Sequence, residues 1–166
     1  TSLFTVLGDS GNFKTGANLF WRAAPRLDFW LEGSALNAAQ DWGWGGYFRT
    51  VLRTDDDGRG SILGEIRRQD VSTSQWTGIR LASDTPLYQS VHCSLAIMPE
   101  LEVIIPDNPE PDEGKVWPWG RLALRYRNIK GWTVAAAAEA SSNQNVRVDV
   151  RALARVAYQK TWRGNR

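Results

Sequence analysis

The sequence predicts an all-β sandwich or barrel, on three observations. Apolar and polar residues alternate with a period of two over several segments. Turn-forming residues separate those segments at short spacing. Almost no stretch carries helical periodicity.

The first element is a short apolar run over residues 3–7. Residues 26–35 form the next, with Leu27, Phe29 and Leu31 on one side and Asp28, Glu32 and Ser34 on the other. Trp30 sits with the polar set. Residues 35–40 fit one helical turn within a connecting loop that runs to Trp44. Residues 46–54 alternate again, with Phe48, Thr50 and Leu52 opposed to Tyr47, Arg49, Val51 and Arg53. Asp55, Asp56, Asp57 and Gly58 then signal a turn. Strands are expected over 61–69, 75–82 and 88–98. Residues 99–114 read as an exposed acidic loop rich in proline, with a short strand at 101–105 inside it, because unpaired charge at that density cannot be buried. Residues 121–128 place Leu122, Leu124 and Tyr126 on one face. The alanines at 135–138 suit a helix by propensity, but the serines and asparagine that follow favour a strand over 132–140. The last strand is the most regular. Val146, Val148, Val150, Ala152, Ala154, Val156 and Tyr158 share one face, opposite Arg147, Asp149, Arg151, Arg155 and Gln159.

Composition narrows the function. With 166 residues, 42% apolar and 23% charged, the chain can bury a core and is not a disordered tail. A net charge of +2 does not identify a nucleic-acid binder, so such a role must rest on a local patch. One cysteine, Cys93, excludes an internal disulfide framework, and one histidine, His92, argues against a His/Cys metal site. No apolar run is long enough for a transmembrane helix. No catalytic constellation emerges, and neither an enzymatic activity, a cofactor nor a metal is expected. "GDSG" at 8–11 matches a serine-protease nucleophile segment, but no histidine precedes it as that order requires, so a turn is expected. Asp55 and Asp57 read as a solvated turn before a cation site. "GWGG" is not a phosphate loop.

Nine tryptophans remain to be explained. On an exposed sheet face they stack on sugars, in a barrel they belt the membrane boundary, and in an assembly they fill subunit contacts. The order of features carries a resemblance. Phe20, Trp21 and Arg22 head a strand, "DWGWGGYFRTVL" follows, and "GRLALRYRN" and "NVRVDVRALARVAY" come late. This order resembles the jelly-roll coat proteins of picorna-like positive-strand RNA viruses, with the small coat proteins of plant secovirids such as comoviruses and cheraviruses most similar in pattern.

The resemblance implies one domain over 1–166, an eight-stranded antiparallel jelly-roll β-sandwich that assembles with sister coat proteins into an icosahedral shell around an RNA genome. Release from a polyprotein then accounts for Thr1. Virion and host cytoplasm are the implied locations, with no membrane partner. Trp21, Trp42 and Trp44 become candidate subunit contacts. Arg147, Arg151, Arg155, Lys160, Arg163 and Arg166 become candidates for weak, non-specific contact with genomic RNA. The acidic loop over 106–114 is expected on the outer surface. An outer-membrane-type β-barrel, porin or export channel, is the main alternative, and a soluble carbohydrate-binding β-domain the second.

Overall fold

The computed structural model describes residues 1–7, 13–38, 41–55, 59–71, 74–109, 115–142 and 148–159. Ten strands occupy nearly all of them: β1 (Ser2–Leu7), β2 (Phe13–Ala24), β3 (Leu27–Ala38), β4 (Asp41–Arg53), β5 (Ser61–Val71), β6 (Ser74–Gln89), β7 (Cys93–Pro106), β8 (Trp117–Asn128), β9 (Trp132–Ser141) and β10 (Asp149–Tyr158). They form one sheet in sequence order, and every pairing is antiparallel. The all-β antiparallel class is as the sequence predicts. The eight-stranded jelly-roll order is not displayed. Greek-key connections set strands distant in sequence side by side, whereas here each strand lies beside its neighbour in the chain.

Two local expectations are corrected and a third is met. Residues 35–38 extend β3 and do not turn as a helix, because Ala35 and Asn37 continue the ladder against Trp44 and Trp42. Residues 99–106 are the second half of β7 and not part of a loop. The alanine run is strand, held between β8 and β10 over its whole length. "GDSG", Asp57 and residues 110–114 lie outside the described residues.

Directly paired residues in an antiparallel ladder point to the same side, so the register sorts the whole sheet into two faces. One row reads Leu19, Leu31, Phe48, Ile66, Ile79, Val103 and Pro118. The row one residue away contains Glu32, Tyr47, Arg67, Gly78 and Ile104. The same parity holds along each strand except past the register shifts at Arg22/Ala24 in β2 and Pro86/Tyr88 in β6. On the apolar face only Arg68 and Asp70 carry charge among the described strand residues.

Burial runs opposite to that of a soluble domain. The buried apolar residues are Val71, Ala96 and Ala123, while Asp28, Ser34, Glu65 and Glu100 are also buried, and all seven lie on the polar face. Leu101 is 62% exposed, Leu81 55% and Ile66 53%, all on the apolar face. No other layer of the described chain covers the polar face. Its side chains bury one another, as Arg49, Arg67 and Arg80 do around Glu65.

Candidate functional site: the polar face

The polar face is a chain of ion pairs that crosses five strands. Arg49 of β4 meets Glu65 of β5 at 2.5 Å. Glu65 also takes Arg67 at 3.3 Å and Arg80 of β6 at 3.9 Å. Arg67 reaches Glu102 of β7, and Arg80 reaches Glu100 of β7. Glu100 then takes Arg121 of β8 at 2.5 Å. Isolated, such buried carboxylates would be expensive; each here has at least two guanidinium neighbours or lies beside one that does.

Small residues make the long reaches possible. Arg67 and Glu102 lie two strands apart, with Gly78 between them, where an added Cβ would stand 3.5 Å from the Glu102 Oε1 and 3.0 Å from the Trp76 ring. Arg125 of β8 likewise bonds Asp84 of β6 at 2.6 Å, across β7, where its register partner is the small Ala96. A second cluster closes the other side of the sheet. Arg22 donates to Asp28 at 2.8 Å and Arg53 donates to its other oxygen, while Lys14 meets Glu32 at 2.5 Å.

Toward β8–β10 the balance turns cationic. Arg121, Arg125, Arg127 and Arg155 line a recess of about 560 Å³ whose floor includes Ala135 and Ala137. Among the described residues, Arg127 and Arg155 have no ion pair.

The apolar face carries aromatic residues near the strand ends. Beside the turns that join β2 to β3, β6 to β7 and β8 to β9 stand Trp21, Phe29, Tyr88, Tyr126, Trp132 and Tyr158. Trp21 packs on Phe29 with ring centroids 5.4 Å apart, and Trp132 on Tyr158 at 4.8 Å. Toward the other ends are Phe13, Trp42 and Trp44, with Phe13 edge-on to Trp42 at 5.2 Å. The two charged residues of this face lie at that end as well. Arg68 holds Asp70 at 3.3 Å and also pairs with Asp107, just beyond β7, at 2.5 Å. The hydrogen bonds and charge of Arg68 hold the Asp107 carboxyl below the ordinary aspartate range.

Trp21, Trp42 and Trp44 are therefore exposed on the apolar face, between 53% and 65%. Arg151 and Arg155 share the polar face of β10, and Arg151 pairs with Asp149 at 2.5 Å. Arg147, Lys160, Arg163 and Arg166 lie outside the described residues. Asp55 accepts hydrogen bonds from the Arg59 and Gly60 amides, at 2.7 and 3.2 Å, and so closes its own turn. His92 stands in the turn before β7, and Ser90 accepts from the amides of both His92 and Cys93. The sequence reasoning missed Glu65, Arg80, Glu100 and Glu102. Their only signal was parity, since each falls opposite the apolar residues of its own strand.

No protein-family model, curated protein or solved structure matches this chain.

Proposed function

We propose that this chain forms part of the wall of a transmembrane β-barrel, with the ion-paired face toward an aqueous lumen and the apolar face toward lipid. The carrying observation is the inside-out partition: carboxylates are buried, and large aliphatic side chains are exposed in continuous rows. A contiguous apolar surface of this extent marks a membrane or protein contact. Strand length supports lipid. The strands β2–β10 run from 10 to 16 residues, and a tilted span needs only about 9–11. Aromatic residues at both strand ends suit the two interfaces. No helix of the described residues is long and apolar enough to cross a membrane, which says nothing of strands. Neighbour-to-neighbour order is also the order of an up-and-down barrel.

The test is fractionation of the native source, followed with an antibody to this chain. The antigen is expected to float with membranes in a density gradient, to resist a high-salt wash and to be released by detergent. Recovery in the detergent-free soluble fraction would overturn the membrane reading.

A second reading is a coat-protein subunit, the jelly-roll assembly that the order of sequence features implies. The observation favouring it is the exposure of Trp21, Trp42 and Trp44, which neighbouring subunits would cover. It requires soluble isometric particles bearing the antigen, so the same fractionation separates the two.

A further inference from the structure

We propose that the outer edges of β1 and β10 pair with each other, so that these ten strands close into one barrel with a shear of ten residues. Closure rests on the barrel reading above and names the partner of each edge. Among the described residues, β1 pairs only with β2 and β10 only with β9. An open edge is not tolerated in lipid, where no water satisfies its backbone groups. Successive strands alternate in direction, so the first and the tenth run antiparallel and meet in the same kind of ladder as every other pair. The register supplies the stagger. The row that starts at Ser2 crosses β8 at Trp117. The row that starts at Ala157 crosses β8 at Arg127, ten residues further along.

Opposing Ser2 to Ala157 turns that stagger into the shear. Ten strands about 4.8 Å apart, offset by ten residues of about 3.4 Å, tilt by about 35°, within the range of about 35–45° that closed barrels adopt. A shear of eight gives only about 30°. A shear of twelve carries Ser2 past Tyr158 and off β10. An odd shear sets the polar face of one edge against the apolar face of the other. Ten remains, and it gives every β1 residue a partner on β10, from Ser2 with Ala157 to Leu7 with Ala152. The side chains agree. Val6 shares the polar face with Lys14 and Leu36. On inner strands, Leu36, Val51, Leu63 and Ile104 of that face are half-buried by their neighbours. Val6 is 57% exposed at one margin and Leu153 46% at the other. A shear of ten sets these two opposite each other, and each covers the other. It also sets Phe4 opposite Arg155, a ring for a guanidinium that has no ion pair among the described residues.

The test is disulfide trapping in the purified full chain, in detergent if extraction requires it, with Cys93→Ser removing the native thiol. Thr5→Cys with Ala154→Cys places two thiols directly opposite each other, where paired Cα atoms stand about 4.5–5.5 Å apart. Leu3→Cys with Val156→Cys tests the same register a second time. Thr5→Cys with Val150→Cys displaces one thiol by about 14 Å along the strand, beyond disulfide reach. After mild oxidation and proteolysis, mass spectrometry is expected to find the intrachain bond in the opposed pairs and not in the displaced one. A bond between two chains would overturn the proposal, because the edges would then pair between copies. So would no bond in either opposed pair, or an equal yield in the displaced one. The membrane reading fails separately. A chain that forms the bond but is recovered in the soluble fraction keeps closure and loses lipid, and a membrane-bound chain without the bond does the reverse.

Discussion

Glu100 shows most directly how this sheet keeps charge out of water. It is 5% exposed and held by Arg80 and Arg121. Removing the carboxylate strands Arg121 and leaves Arg80 only the distant Glu65, at 3.9 Å. Glu100→Ala is expected to cost about 2–3 kcal/mol, below the full range for breaking a buried pair because both arginines retain some solvent. Urea unfolding monitored by tryptophan fluorescence measures it. Asp107 gives a pH signature. Its carboxyl is held low by Arg68, so the contribution of this clamp is fully present above the unfolded aspartate value, about 3.9. It is lost as pH falls below that value through the depressed native one. Carboxyl NMR should find Asp107 titrating below the other exposed aspartates, and Arg68→Gln should return it to their range. Neither pairing was legible in the sequence. Glu100 sits among prolines and acids, and the arginines that neutralise it, Arg80 and Arg121, come from the strands on either side. Burial of a charge depends on its partners, and partners distant in sequence leave no local mark.

At the scale of the strand, parity was legible and length was not. The alternation in β3 and β10 is visible because each face is chemically uniform. The strands expected over 75–82 and 88–98 divide β6 and β7 wrongly: β6 runs on to Gln89 and β7 starts at Cys93 and continues past Pro99. The structure absorbs Pro86 at a register shift against β7, and Pro99 within the continuous β7–β8 ladder. β2 is missed by the sequence analysis: Phe20, Trp21 and Arg22 are expected to head a strand but lie near the end of β2, whose alternation Lys14, Thr15, Gly16 and Asn18 dilute. Parity itself can be tested on β9. Ala137→Glu places a carboxylate among arginines on the polar face and is expected to be neutral or stabilising. Ala138→Glu places the same group between Leu122 and Ala152, and in lipid is expected to cost up to about 2 kcal/mol. Urea unfolding of the two variants in lipid vesicles makes the comparison. Equal costs would mean that the two faces meet similar surroundings.

At the scale of the whole molecule, the sequence carried the class and the periodicity, but not the order of the strands. Alternation says that each strand has two unlike faces; it does not say which face is enclosed. A sandwich and a barrel therefore share one sequence pattern; what the structure adds is which face is buried, the one carrying Asp28, Glu65 and Glu100. That order has a consequence for how such a sheet could change size over evolutionary time. Every backbone ladder joins immediate neighbours, so adding or deleting a two-strand unit at either margin leaves all remaining ladders whole. The middle is different. Arg67 to Glu102, Arg68 to Asp107 and Arg125 to Asp84 each step over an intervening strand. These side-chain rivets tie β5 through β8 into one indivisible panel, and growth by duplication is confined to the margins.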